Sequence, residues 1–158
     1  MPIKLEDPNH ESAAAWARGY YLASGSVMEA ILRPYDLGPT QWQVLYILAE
    51  KGPTNQRDLV RTLHIERATL TGVVAALVRK QLVEQLPDPH DQRQKVLRIT
   101  EAGGSLWRAI PDPNALIRSI AFDDIDEADL VTTIAVLQAA TRNLIAYKFK
   151  ERSSWGGS

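Results

Sequence analysis

The fold is decided by residues 55–100, which read NQRDLVRTLHIERATLTGVVAALVRKQLVEQLPDPHDQRQKVLRIT. A short helix opens at Asn55, and Asp58 three residues later makes an approximate capping pair with it. His64 and Ile65 form a brief turn. A longer helix then runs from Arg67 to about Gln81, because its apolar residues recur at helical spacing. A short capped helix, a tight turn and a longer helix together predict a helix-turn-helix.

Two strand-like runs follow the longer helix, Val83 to Leu86 and Lys95 to Thr100. The β-branched second run can turn Leu97 and Ile99 toward a core. The loop between the runs, residues 87–92, contains too much proline for a strand. A charged hairpin directly after a helix-turn-helix predicts a winged helix-turn-helix, in which the second helix enters the DNA major groove and the hairpin reaches the neighbouring backbone. The predicted fold class is therefore mainly α with a small β-hairpin wing.

The charge pattern supports contact with phosphates in this middle segment. Residues 54–100 hold eight basic and five acidic side chains, a net charge of +3 in a chain of net charge −1. The overall balance excludes a protein coated uniformly with positive charge. A basic middle between acidic flanks is typical of a phosphate-binding module on a scaffold that does not touch DNA.

The longer helix presents one face opposite its apolar arc. The arc comprises Leu70, Val73, Val74, Leu77 and Val78, and the opposite face comprises Arg67, Ala68, Thr71, Gly72, Ala75 and Arg79. Arginines can donate to bases or phosphates, and an arginine at a hairpin tip can enter a narrow minor groove. The predicted DNA-binding residues are His64, Arg67, Thr69, Thr71, Arg79, Arg93 and Lys95. Two plainer interpretations stay open, an ordinary solvated helix face and a solvated turn in which Asp88 or Asp91 pairs with Arg93.

Helices flank this segment on both sides. The first begins near Asn9 or Ser12 and ends at Pro34, and Thr40 is expected to cap a second from Gln41 to Glu50. Thr100 caps a helix that Pro111 and Pro113 interrupt, and the last helix starts at Asp126. We divide the 158 residues into a winged-helix lobe at 38–100, flanking helices at 10–36 and 101–150, and a disordered tail at 151–158.

The flanking helices predict a homodimer, because a winged helix needs only about 80–90 residues and the apolar faces beside it must be buried. On the first helix these faces carry Trp16, Tyr20, Ala23, Val27 and Ile31, and on the last Leu130, Ile134, Leu137 and Leu144.

Several separated segments resemble the MarR (multiple antibiotic resistance regulator) family of bacterial transcription factors. The stretch from Asp88 to Arg93, followed by Val96 to Gly103, is similar to the family's wing pattern, and Leu37 to Leu45 resembles the opening of its second helix. The resemblance covers roughly residues 11–148. It implies a homodimer of winged-helix protomers with interlocked terminal helices, which binds a pseudo-palindromic operator, and it identifies Arg93 as the wing arginine. The chain departs from the family at Gln92 and Gly72, where basic residues are frequent.

The resemblance also implies a repressor that small aromatic or phenolic ligands release. The predicted ligand-binding residues are Trp16, Tyr20, Trp42, Tyr46 and Trp107, with Arg18 or Arg108 available for a carboxylate. The competing interpretation is that aromatic residues at helical spacing belong to the core or to the dimer interface.

Other classes of function find little support. The chain has no cysteine, which excludes thiol chemistry and cysteine-ligated zinc and suits a reducing cytoplasm. His10, His64 and His90 lack the spacing of a metal site, and no catalytic constellation stands out, so no metal, cofactor or enzyme activity is expected. We expect no secretory signal and no membrane span. A winged-helix module for protein–protein contact remains the alternative to a DNA-binding regulator.

Overall fold

The computed structural model describes the backbone of residues 12–154 and the side chains of residues 12–148. The elements are α1 (Ala13–Leu32), a 3₁₀ turn (Arg33–Tyr35), α2 (Pro39–Lys51), β1 (Thr54–Asn55), α3 (Gln56–Leu63), α4 (Arg67–Arg79), β2 (Val83–Pro87), β3 (Lys95–Ile99), α5 (Glu101–Ala109), α6 (Pro113–Ala121) and α7 (Glu127–Ser154). The fold is mainly α with a small sheet, as predicted. The predicted helix start at Asn9 lies outside the described residues, and α7 reaches into the first four positions of the predicted tail.

The described residues divide into two compact units, one that ends at residue 117 and one that begins at residue 118. The boundary falls inside α6, and within the first unit α5 packs on α2. Gly103 of α5 approaches the base of the hairpin so closely that a Cβ there would collide with the carbonyl oxygen of Leu82, just before β2, and lie 2.8 Å from Cγ1 of Ile99 at the end of β3. The winged-helix unit therefore includes the helix that follows the wing.

The helix-turn-helix forms as the sequence predicts. The Asn55 side chain caps α3 by accepting from the Asp58 backbone N–H at 2.8 Å, and its own amide donates to the Asp58 carboxylate at 3.0 Å. His64 ends α3 in the left-handed region, with a φ of 52°. Leu59 of α3 is fully buried. The predicted arc of α4 buries three residues, Leu70, Val74 and Leu77, and Val73 packs against the core while partly buried.

The wing is one strand larger than predicted. The sheet has three antiparallel strands in the order β1–β3–β2, and the two-residue strand β1 pairs with Leu97 and Val96 of β3. The proline-rich loop also starts one residue later than predicted, because Pro87 pairs with Lys95 at the end of β2. A proline is tolerated there because β2 is an edge strand, where a missing N–H breaks no bond to a further strand.

The remaining helix ends differ from the predictions by one or two residues. Gly38, and not Thr40, is the N-cap of α2, and Pro39 takes the first helical position, which its fixed φ suits. Gln41 completes this cap by accepting from the Gly38 N–H at 3.3 Å. Thr100 caps α5 as predicted, with its hydroxyl accepting from the Gly103 N–H at 3.0 Å.

In the second unit, α7 begins at Glu127, one residue after the predicted start at Asp126. Asp126 accepts from the Ala128 backbone N–H at 3.0 Å, a carboxylate cap at the positive end of the helix. Seven large apolar side chains of α7 are between 41% and 72% exposed, among them Leu137 and Leu144, whereas Leu130 is partly buried. No helix in the part of the chain that the structure describes is long and apolar enough to cross a membrane.

Candidate nucleic-acid interface

A groove of about 960 Å³ lies between α3, α4 and the wing, all within the first unit. We call it the basic groove because its lining holds five cations and no carboxylate. The lining residues are Gln56, Arg57, Val60, Arg67, Thr71, Ala75, Val78, Arg79, Gln85, Arg93, Gln94 and Lys95. The α4 residues predicted to lie opposite the core are all exposed. The groove thus joins the exposed side of the helix to the inner side of the wing.

The basic groove brings together most of the residues predicted to bind DNA. Arg67, Thr71, Arg79, Arg93 and Lys95 all line it. His64 and Thr69 are exposed but do not line it. His64 occupies the left-handed end of α3. Thr69 lies about 160° around α4 from Thr71, since each residue advances by about 100°. These two predicted residues are therefore separate from the groove.

The groove also contains residues that the sequence reasoning missed. Arg57 and Val60 lie one turn apart on α3 and face the groove together. Their spacing of three residues places both side chains on the same face of α3. The sequence does not indicate that this face lies toward the wing. Val78 was predicted to be part of the core, but it is 39% exposed and lines the groove. It lies about 80° around α4 from Leu70, at the edge of the apolar arc.

The four groove arginines carry uncompensated charge. Arg57, Arg67, Arg79 and Arg93 form no ion pair with any side chain that the structure describes. Lys95 makes one long contact, 3.5 Å from its Nζ to Oε1 of Gln85. Because charge left unpaired within one concave surface concentrates its field, this surface attracts polyanions.

The other three cations of residues 54–100 are paired elsewhere. Arg98 contacts Glu84 at 2.7 Å across the sheet, and Arg61 lies 3.9 Å from Asp58. Lys80 contacts the Asp36 carboxylate at 3.1 Å. None of these three lines the basic groove.

The wing tip holds Arg93 through its backbone. Asp91 accepts from the Arg93 N–H at 3.1 Å and from the Gln94 side-chain amide at 3.0 Å. A further backbone bond closes the tip, from the Asp88 N–H to the Gln94 carbonyl at 3.0 Å. The structure therefore does not form the ion pair that we considered between an aspartate and the Arg93 guanidinium. The guanidinium stays available while its backbone is fixed.

The Thr71 side chain has less free hydrogen-bonding capacity for DNA than the sequence suggests. Its hydroxyl donates to the Arg67 carbonyl oxygen one turn earlier, at 2.9 Å. The donor is thus used within α4, and the hydroxyl oxygen retains only its capacity to accept.

The predicted ligand-binding aromatic residues separate into two groups. Trp42, Tyr46 and Trp107 form one cluster with ring centroids 5.5–5.9 Å apart. Trp42 is 3% exposed and belongs to the core, whereas Tyr46 is 45% exposed. Trp16 and Tyr20 lie on α1, where each is about half-exposed. The cluster agrees with the core interpretation for Trp42 and leaves one ring edge at the surface.

No set of three or more metal-ligating side chains occurs among the described residues. His10 lies outside them.

The order of elements and the basic groove define a winged helix-turn-helix protein. Residues 37–95 match the model of the MarR family. The chain is 28% identical over 103 residues to the HTH-type transcriptional repressor NicR of Pseudomonas putida, a match that covers 65% of each protein. It is 34% identical over 80 residues to the HTH-type transcriptional regulator FarR of Neisseria gonorrhoeae, covering 51% of this chain and 55% of the relative. The chain thus spans between about half and two thirds of the length of these relatives, and its likeness to the MarR family model lies in residues 37–95.

Solved structures show the same fold. Bordetella bronchiseptica BpsR, studied for the regulation of its DNA binding by 6-hydroxynicotinic acid, superposes with a TM-score of 0.75 at 22% identity, over 89% of this chain and 98% of that one. A MarR variant of Escherichia coli complexed with operator DNA gives a TM-score of 0.75 at 18% identity, over 85% of this chain and 99% of that one.

Proposed function

We propose that this protein is a DNA-binding transcriptional regulator, a ligand-responsive repressor that binds a pseudo-palindromic operator as a homodimer. The observation that carries the proposal is the basic groove, in which five cations and no carboxylate line one surface between α4 and the wing. Duplex DNA presents one phosphate charge per about 1.7 Å of axis, so a row of unpaired arginines binds it by releasing counterions.

The shape of the groove suits a duplex. The major groove is about 12 Å wide and admits one α-helix, and α4 offers it an exposed face of small residues between Arg67 and Arg79. In this arrangement Arg93 at the wing tip enters the adjacent minor groove, where the potential is most negative in narrow stretches. The remaining cations contact phosphates and fix the register.

A homodimer accounts for apolar surface that is exposed in the single chain. On α1, Trp16 and Tyr20 are 52% and 47% exposed, and on α7, Ile134 and Leu144 are 47% and 72% exposed. Exposed apolar surface of this extent marks an interaction site. Two α4 helices related by a two-fold axis then dock in successive major grooves, about 10 base pairs apart.

The effector is a small aromatic or phenolic compound. Two observations support this class: Tyr46 leaves part of a three-ring cluster at the surface, and BpsR, which shares the fold, is regulated by 6-hydroxynicotinic acid. An effector that binds best when the two α4 helices are differently spaced shifts the population away from the DNA-competent form.

A second candidate is a winged-helix module for protein–protein contact. Ala68, Gly72 and Ala75 favour it, because this exposed part of α4 carries few hydrogen-bonding groups.

Fluorescence anisotropy tests the proposal against this alternative. The probes are a labelled duplex from the protein's own upstream region, a scrambled control and a duplex selected from a random pool, each across a salt series. We expect tight, salt-dependent binding with a preference for the native or the selected duplex, and release by phenolic compounds in the same assay. If the random pool yields no preferred sequence, the chain is not a sequence-specific regulator and the protein-contact function takes its place.

A further inference from the structure

One basic residue at the end of α4 points away from the basic groove. Lys80 is the C-cap of α4, and its backbone N–H donates to the Ala76 carbonyl oxygen at 3.0 Å. Its side chain is only 25% exposed and does not line the groove. By charge alone it resembles Arg79 beside it, but its surroundings differ entirely.

The Lys80 ammonium group binds the segment that connects α1 to α2, residues 33–38, which we call the α1–α2 corner. Its Nζ lies 3.1 Å from Oδ2 of Asp36 and also donates to the Asp36 carbonyl oxygen. A third contact, at 3.3 Å, reaches Oε1 of Gln41 in the first turn of α2. Three acceptors match the three donors of an ammonium group.

The corner is itself a defined structure. Asp36 takes the left-handed conformation with a φ of 53°, and its N–H donates to the Arg33 carbonyl oxygen at 3.0 Å. Leu37, buried at 6% exposure, donates its N–H to the carbonyl oxygen of the fully buried Leu32 at the end of α1. Gln41 accepts from both Gly38 and Lys80. Lys80 therefore contacts the hydrogen-bonded segment that joins the end of α1 to the start of α2.

This contact constrains α4 in a way that its apolar residues do not. Leu70, Val74 and Leu77 fix the depth of α4 in the core, but apolar burial has no preferred direction. Hydrogen bonds from an ammonium group are directional. They set where the C-terminal end of α4 lies relative to the end of α1.

We propose that Lys80 is a positioning residue. It joins α4, the helix that the proposed function places in the DNA major groove, to the α1–α2 corner, and so makes DNA affinity depend on the end of α1. The inference rests on the proposed DNA-binding function. Its consequence is that a displacement of α1 changes the angle at which α4 meets the duplex.

The test uses substitutions of Asp36, which separate positioning from charge. Asp36→Asn removes a negative charge, so electrostatics alone predicts unchanged or tighter binding to a polyanion. Positioning predicts weaker binding by about two- to fivefold, the low end of the range for residues that modulate a site without touching its ligand, because Lys80 keeps the Asp36 carbonyl oxygen and Gln41 as acceptors. Glu29→Gln is the matched control, because it removes the same charge from an exposed position on α1. Affinity is measured by anisotropy with the full chain and the duplex selected from a random pool.

Lys80→Met supplies a second variant and a second readout. We expect a larger loss of affinity than for Asp36→Asn, because all three contacts are removed, with the salt slope of the wild type, because no phosphate contact is removed. The double variant Asp36→Asn/Lys80→Met is expected to bind no more weakly than Lys80→Met alone, since the Asp36 carboxylate acts on α4 only through Lys80. Circular dichroism and urea unfolding check that each variant is folded at the assay temperature.

The outcomes are distinct. The proposal is overturned if Asp36→Asn binds as tightly as Glu29→Gln, or if Lys80→Met lowers the salt slope by about one per docked protomer, as a phosphate contact would. A wild type that binds no duplex overturns the proposed function, and this inference with it.

Discussion

The cations of residues 54–100 form two sets that differ in whether they are paired with a carboxylate. Arg57, Arg67, Arg79 and Arg93 line one groove without a carboxylate partner among the described side chains. Arg61, Lys80 and Arg98 each contact an aspartate or glutamate and lie outside that groove. Composition does not distinguish the sets, and even neighbours in sequence divide between them. The comparison teaches that the pairing of a cation, and not its presence, identifies the surface available to a polyanion.

The largest expected effect comes from removing two groove arginines together. We expect Arg67→Ala/Arg93→Ala to weaken duplex binding by at least about a hundredfold, because each hydrogen bond to a charged group contributes about 1.5–3 kcal/mol. The salt slope should fall by about two for each docked protomer. Anisotropy across a salt series measures both quantities.

The matched control for this variant is Arg61→Ala/Arg98→Ala, which removes the same charge from paired positions. It should bind within about threefold of the wild type, since neither arginine lines the groove and each already has a carboxylate partner. Equal losses in the two double variants would mean that net charge, and not the groove, determines binding.

The next largest effect is on the free energy of unfolding, and it should differ between Lys80 and its neighbour Arg79 at the end of α4. Lys80→Met should lower the free energy of unfolding by about 1–2 kcal/mol, because it breaks a partly buried cation's contacts with three acceptors. Arg79→Met should leave the free energy of unfolding within about 0.5 kcal/mol, as for most surface changes. Urea unfolding followed by circular dichroism measures both. A destabilised Arg79 variant would show that the groove arginine also holds the fold.

The smallest effect concerns the pair on the outer side of the wing. Glu84→Gln breaks a 2.7 Å contact between two side chains that are 40% and 52% exposed. We expect a loss of less than about 1 kcal/mol in the free energy of unfolding and no weakening of DNA binding. Thermal unfolding and anisotropy measure the two quantities. A marked loss of DNA affinity would place this side of the wing at the interface.

Much of the fold follows from local signals in the sequence. The caps at Asn55 and Thr100, the prolines after α5 and the helical spacing of Leu70, Val74 and Leu77 predict the helices and their order. These signals act over three or four residues, so they can be read without knowing the tertiary structure.

What the sequence did not reveal depends on contacts between distant segments. Strand β1 has two residues, and its partners Leu97 and Val96 lie about forty positions later, so no local pattern marks it. Arg57 reaches the groove because α3 faces the wing. Val78 lies at the edge of an apolar arc, where only the neighbouring elements decide whether it is covered. The sequence also did not predict which cations form ion pairs, since Lys80 binds Asp36, which lies 44 positions earlier.

The measurement that tests the account most directly compares Arg57→Ala with His64→Asn in the salt dependence of binding to the selected duplex. Geometry alone places Arg57 in the basic groove, whereas His64 was chosen from the sequence and lies outside the groove. Asparagine tolerates the left-handed conformation of His64, which keeps that turn intact. We expect Arg57→Ala to lower the slope by about one per docked protomer and His64→Asn to leave it unchanged. The reverse pattern would contradict the assignment of the basic groove as the DNA site.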